Sequence, residues 1–353
     1  MNSRIKHIYG KLERKNLDGL ILCSPSNISY LTESISRDAY LVVSKKVNTY
    51  ITDSRYTEEA KRNLDKKFAI KKINGCVFKI ITDVCQNLRL KRIGFEERYL
   101  PFGEYKKIRE ELSKTVDLIP THSVVEESRQ IKSPEELEKI KKATQITILA
   151  LKFIRSFISP GRREIEVAAE LERFIRYNGA CASSFDIIVA SGPNSSFPHH
   201  ITSQRKIKNN EPVLVDIGVD YFGYKSDLTR VFFLGKITSV IRRTYDIVRR
   251  AQDRAIRKIK PNVFINKIDA AARQYITRKG YGGFFGHNLG HGVGLEVHEE
   301  PHISSKENSK LEAGMVFTIE PAIYLPNKFG IRLEDMVLVT KEGAEILSDN
   351  LNK

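Results

Sequence analysis

The first third of the chain alternates strand-like and helix-like segments. Ile5 to Lys15 reads as a charged helix. The apolar run Leu20 to Cys23, inside Leu17-Asp18-Gly19-Leu20-Ile21-Leu22-Cys23-Ser24, reads as a buried strand. Ala39 to Ser44 and Thr49 to Asp53 predict two more strands around a Lys45-Lys46 turn. Val77 to Leu88 predicts a helix, Arg92 to Phe95 a short strand and Phe102 to Leu112 an amphipathic helix. This alternation predicts an α/β domain over residues 1–126. Residues 121–133 are polar with no apolar period and mark a boundary. A second domain is expected over residues 133–353.

That second domain opens on Ser133-Pro134-Glu135-Glu136. Serine as N-cap, proline at the first helical position and glutamate three residues on make a capping box. The helix that follows is amphipathic at Leu137 and Ile140, then apolar on most sides from Ile146 to Ile158, so its second half should be buried. Pro160-Gly161 ends it. Glu164 to Tyr177 predicts another helix, with Ile165, Ala168, Leu171 and Ile175 on one face, and Asn178-Gly179 stops it. Phe185 to Ala190 reads as a strand. Two further helices are expected at Val240–Ile259 and Ile265–Lys279, with strands around Gly294–His298, Met315–Tyr324 and Ile331–Val339. No repeat shows in the pattern, although two helix pairs and two hairpins would fit a duplicated half.

The hairpins carry the chemistry. Val213, Val215 and Ile217 alternate with Leu214, Asp216 and Gly218, and Val231-Phe232-Phe233-Leu234 closes a second strand. If Asp220-Tyr221-Phe222-Gly223 is the loop, Asp216 and Asp227 face each other directly. Two carboxylates that close repel unless a proton or cation lies between them. A plainer reading makes Asp227 a turn residue and Asp216 an exposed face. The second hairpin repeats the logic, because a loop centred on Asn327 opposes Glu320 to Glu334. A carboxylate in a buried strand needs a partner. That partner is either Arg332, in a structural ion pair, or a metal. Six of the eight histidines fall between residues 199 and 302, three of them within or just after the glycine-rich stretch Gly286 to Gly294. Four carboxylates and one imidazole around two divalent cations suit hard to borderline ions such as Mn²⁺.

Composition narrows the alternatives. The net charge of +16 raises nucleic acid as a partner, but the excess is spread evenly over both halves. The densest basic stretch, Ile241 to Lys260, fits the solvated face of a helix. No nucleic-acid partner is expected. No apolar run approaches the ~20 residues of a membrane span, and the charged N-terminus lacks a signal-peptide core. Cys23, Cys76, Cys85 and Cys181 form no CxxC pair, which suggests reduced thiols in a cytoplasmic protein.

Taken together, these motifs resemble the pita-bread metallopeptidases, specifically the aminopeptidase P and prolidase branch. The matching stretches are Val189 to Asn194 running to Pro198-His199, Asp216-Ile217-Gly218, Ser226 to Arg230, His287 to Glu299, Ile319-Glu320-Pro321 and Arg332 to Asp335. Residues 1–126 resemble, less specifically, that branch's creatinase-like N-terminal domain. The resemblance implies a catalytic domain of antiparallel hairpins flanked by two helix pairs. It makes Asp216, Asp227, His291, Glu320 and Glu334 ligands of two metal ions, most simply Mn²⁺, with Co²⁺ or Zn²⁺ as alternatives. Asp227 and Glu334 would bridge. His199, His287 and His298 match histidines that bind substrate and move protons. Glu320 would also take a proton from water, and Arg332 is the arginine beside the last ligand. The implied activity is hydrolysis of the bond before proline in small peptides. Xaa-Pro aminopeptidase is the leading reading and prolidase the alternative. A non-catalytic pita-bread binding module is a third reading, but it predicts lost ligands and none is lost. A homodimer is expected from the family.

Overall fold

A computed structural model describes residues 3–349 and 351. The chain divides into two compact units, 1–129 and 130–353.

The first unit is built on a six-stranded mixed sheet. From edge to edge its strands are Phe68–Lys72, Asn48–Thr52, Ala39–Ser44, Gly19–Leu22, Arg92–Glu96 and Asp117–Thr121. The expected helices stand at Ser3–Arg14, Val77–Asn87 and Phe102–Glu111. The central strand Gly19–Leu22 is wholly buried, as its unbroken apolar run requires. Both edge strands escaped the sequence reading. Phe68–Lys72 is mostly solvent-facing and ends in two lysines, and Asp117–Thr121 contains Pro120. Lysine and proline are common devices of edge strands and mask a strand pattern. Helices at Pro25–Thr32 and Thr57–Asn63 were also not anticipated. The stretch 121–133 is not structureless, because it holds the end of an edge strand and the helical turn Glu126–Arg129.

The second unit has two apolar cores. Ser133 caps the helix Pro134–Phe157 with the expected capping box. Its second half buries Ile146, Ile148, Leu151 and Ile154, but Leu149 stays 48 % exposed, so one side faces solvent. This helix and Glu164–Tyr177 pack with Val189, Val213, Val215 and Ile217. The second pair, Ser239–Ile256 and Ile265–Arg278, packs with Phe317, Ile319, Ile323, Ile331 and Leu333. Among the described residues no helix is long and apolar enough to cross a membrane.

Four sheets belong to this unit, one of them the small sheet of Tyr224–Lys225, Val219–Tyr221 and Ala182–Ser183. Leu228–Phe233, Pro212–Ile217 and Ile188–Ser191 form one. Glu299–Ile303, Gly290–Gly292, Val316–Ile319, Asp335–Val339 and Ala344–Ile346 form another. Ala322–Leu325 and Phe329–Arg332 form a two-stranded ladder. The strand expected at Gly294–His298 is instead the connection between Gly290–Gly292 and Glu299–Ile303. Close packing explains this, since a Cβ on Gly294 would come within 2.3 Å of the Glu299 carboxylate. That carboxylate is held by Lys132 in an almost fully buried ion pair of 2.7 Å.

Candidate metal centre

The first hairpin turns more tightly than expected. Its loop is Phe222-Gly223 alone, with φ of 48° and 85°. Positive φ at both central residues is the signature of a two-residue hairpin turn matched to strand twist. Asp216 therefore faces Thr229, not Asp227, and Asp227 lies just outside the strand Leu228–Phe233. The change of partner by two residues preserves the face of the sheet, because side chains alternate with period two. Both carboxylates consequently still project to the same place.

The second hairpin keeps the expected register. Ala322 pairs with Arg332 and Leu325 with Phe329, while Ile319 pairs with Asp335 in the neighbouring ladder. Glu320 and Glu334 fall in the break between these two ladders. Backbone bonds hold both positions. The Glu320 N–H donates to Leu289 O (2.8 Å) and the Glu334 N–H to Thr229 O (3.2 Å). Arg230 adds a bond to Glu334 O of 2.5 Å and an ion pair of 2.6 Å with Asp335.

His291 enters from Gly290–Gly292. A Cβ on Gly290 would strike Thr318 O at 1.9 Å and one on Gly292 would strike Glu300 O at 2.3 Å, so glycine is required on both sides. His291 Nδ1 donates to Gly292 O (3.2 Å), so Nε2 is the ring nitrogen turned to the carboxylates; burial opposes charge on the ring, but the hydrogen bond and charge of Glu320 outweigh it and favour the protonated form. Nε2 points at Glu320 Oε1 (3.4 Å) and Asp227 Oδ2 (3.6 Å).

One donor atom each from Asp216, Asp227 and Glu334 lies within 4.8 Å of the others, and the same holds for His291, Glu320 and Glu334. Glu334 belongs to both groups. A third group joins Asp227, His291 and His298, with the two imidazole rings 4.2 Å apart. Burial first, then the charges of Glu334, Asp216 and Glu320, hold the Asp227 carboxyl well above the usual carboxylate range. Burial, then Glu320 and Asp216, does the same to Glu334. Glu320 goes the other way. Burial pushes it up, but the hydrogen bond and charge of His291 outweigh that and hold it low. Asp216 Oδ1 and Asp227 Oδ1 are buried with no hydrogen-bond partner. Orphaned carboxylate oxygens in a cluster of mutually repelling carboxylates fit divalent cations, and the donor set of carboxylates with one imidazole suits them.

Arg332 does not pair with Glu320 or Glu334. Its Nη2 meets Asp216 Oδ2 at 2.5 Å, its Nε donates to Thr229 Oγ1 (3.0 Å) and its Nη1 to Tyr324 OH (2.6 Å). Thr229 Oγ1 in turn donates to Glu334 Oε2 (2.7 Å). Tyr324 OH then bonds His287 Nε2 (3.3 Å), whose Nδ1 donates to Asn288 O (2.7 Å). Thr229 and Tyr324 were not singled out from sequence. Thr229 stands inside a quoted motif, while Tyr324 is one strand aromatic among many and carries no signal of its own.

All the candidate site residues line one cavity of about 1050 Å³. His199 and His200 lie beside His287, His298 and His302 in its wall. His199 is exposed and makes no hydrogen bond among the described residues. His200 bonds Glu164 (2.9 Å), a fully buried carboxylate that also accepts from Ser191, Asn194 and Ser203. Loss of water around the ring, then the neighbouring His291, pushes His298 down to about 4. His287 is also lowered, chiefly by burial.

The chain is similar to known proteins along nearly its whole length. Residues 4–131 match the creatinase/prolidase N-terminal domain. A Xaa-Pro dipeptidase of Pyrococcus horikoshii is 34 % identical over 99 % of this chain and 97 % of its own length. The solved structure of a Xaa-Pro dipeptidase from Bacillus anthracis superposes with a TM-score of 0.95 at 37 % identity, covering 99 % of this chain and 98 % of that one. That of an X-Pro aminopeptidase from Thermotoga maritima gives 0.89 at 34 % identity, covering 98 % and 97 %. Residues 138–341 match the model of metallopeptidase family M24, and the chain belongs to that family.

Proposed function

We propose that this metallopeptidase is a Xaa-Pro dipeptidase that works with two divalent metal ions held by Asp216, Asp227, His291, Glu320 and Glu334. The convergence of these five side chains on one cavity, with unpartnered oxygens on Asp216 and Asp227, carries the reading. Relatives named as dipeptidases, similar along their whole length, move the dipeptidase ahead of the aminopeptidase and reverse the order expected from sequence. The oxygen-rich donor set favours Mn²⁺.

The bound ions supply Lewis acidity and an acidified water. The chain supplies the rest. Glu320 accepts the water's proton, and the neighbouring imidazole of His291, which contacts it, favours its charged form. His298 is neutral near pH 7, so its ring N–H donates to the oxygen on which charge develops, an arrangement typical of oxyanion stabilisation. Arg332, Tyr324 and His287 form a hydrogen-bonded chain that fixes the His287 ring beside Glu320, and the proton that Glu320 takes from the water is the one passed to the departing proline nitrogen. Arg332 is the one guanidinium or ammonium among the described residues lining the cavity, and it is committed to Asp216. Recognition of a dipeptide's free carboxylate therefore falls to uncharged donors of the wall, imidazole N–H groups and the Asn288 amide among them.

The size of the cavity favours a second reading, a Xaa-Pro aminopeptidase, because about 1050 Å³ open to solvent leaves room beyond a dipeptide. The deciding experiment offers the Mn²⁺-loaded protein an Xaa-Pro dipeptide and a longer Xaa-Pro-Xaa peptide, with Asp227→Asn as control. The dipeptidase reading expects a higher kcat/KM for the dipeptide. Preferential cleavage of the longer peptide makes the protein an aminopeptidase, and turnover of neither under Mn²⁺, Co²⁺ or Zn²⁺ removes both readings.

A further inference from the structure

Gln252 lies on the helix Ser239–Ile256, is fully buried and, among the described residues, hydrogen-bonds to backbone carbonyls and not to the side chains of the five proposed ligands. Around it the core is aliphatic, with Val248, Ala251, Ala255, Ile319 and Leu333 in the same cluster. Its side-chain amide makes two hydrogen bonds from the same nitrogen, one to Ile319 O (2.9 Å) and one to Leu333 O (3.2 Å). Ile319 immediately precedes Glu320, and Leu333 immediately precedes Glu334. One NH₂ group thus joins the two chain segments at the break between ladders, where the backbone's own tie is a long bond from the Leu333 N–H to Pro321 O (3.4 Å).

Stability alone is a poor account of this residue. Its own carbonyl oxygen is buried with no partner, and an unsatisfied buried acceptor is costly. The helix spends a polar side chain on two carbonyls that happen to be those next to the glutamates.

We propose that Gln252 is a positioning residue for the metal centre: it fixes the spacing of Glu320 and Glu334 by tying the carbonyls of Ile319 and Leu333 together. The inference rests on Glu320 and Glu334 being metal ligands. Groups that orient ligands without touching the metal typically change its affinity by about 10–100-fold when lost.

The test compares Gln252→Met, which keeps side-chain length and removes both donors, with Glu320→Gln. Each purified full-length chain is stripped with chelator and titrated with Co²⁺, following heat and the visible absorption of the bound ion. Circular dichroism and thermal unfolding monitor the fold. The expected result is a folded Gln252→Met protein with Co²⁺ affinity lowered by about tenfold or more and an altered visible spectrum. Unchanged affinity and spectrum in Gln252→Met, where Glu320→Gln weakens binding, overturns the role of Gln252. Unchanged binding in Glu320→Gln overturns instead the ligand reading on which it rests. If Gln252→Met does not fold, Gln252→Asn keeps an amide in the core but shortens its reach, and the same two readings decide.

Discussion

Asp227 bears the sharpest electrostatic conflict at the centre, since burial and three neighbouring carboxylates all oppose its charge. The sign of its pH effect follows. A carboxyl whose folded pKa lies above its unfolded value of about 3.9–4.3 binds more protons in the native state, so stability is present at low pH and lost as pH rises through the folded value. Glu334 behaves alike. The metal-stripped protein should therefore lose stability as pH climbs from about 4 towards neutrality. Metal binding, which requires the deprotonated forms, should restore it most at the higher pH. Melting curves with and without chelator across that range check this, and a gap that narrows with rising pH would contradict it. His298→Ala should lower kcat by about 10²–10³-fold, the usual loss for one oxyanion donor. The same variant should leave metal content unchanged by elemental analysis. A loss of metal instead would promote His298 to ligand, a role its grouping with Asp227 and His291 makes geometrically available.

At the scale of elements, two devices hold the loops that line the cavity. The first is the Lys132–Glu299 ion pair next to His298. Removing one member of a buried pair strands the other charge, so Lys132→Ala should destabilise the protein by about 3–5 kcal/mol in denaturant unfolding. The second is Glu164, which gathers both ends of the segment from Ser191 to Ser203 and so fixes the neighbours of the exposed His199. Burial pushes this carboxyl up, but hydrogen bonds from Ser203, Ser191 and His200 prevail and hold it below its ordinary value. Glu164→Gln should cost about 1.5–3 kcal/mol, the range for hydrogen bonds to a charged group. The elements themselves were unevenly visible beforehand. Long periodic helices and the Ser133 cap follow from local chemistry, and the Asn327 hairpin register follows from its loop. The first hairpin departs by two residues from the register its sequence suggests because Phe222 takes a positive φ that non-glycine residues seldom adopt. Glycine spacing alone could not say that 293–298 is a connection and not a strand, since Gly294 answers to a side chain five residues away.

For the molecule as a whole, the separate sheet and core of residues 1–129 imply a unit with its own packing. The isolated 1–129 fragment should unfold cooperatively, as autonomous domains do; a gradual, non-cooperative melt would count against it. The identities of the five candidate ligands could be read from sequence motifs, yet what surrounds them could not. Gln252, Thr229 and Tyr324 acquire their places only through long-range packing, which no local pattern encodes.

The bond between Thr229 and Glu334 joins positions 105 residues apart, and the carboxylates on either side of it come from hairpins that close independently. Loop closure on that scale is entropically expensive and is completed only when the rest of the unit has formed. On the proposed ligand set, a growing polypeptide cannot complete the metal centre until Glu334 has been made. Metal stoichiometry then becomes a gauge of maturation: a chain that has made its secondary structure but not its final architecture should be distinguishable by an empty chelation assay, before any substrate is added.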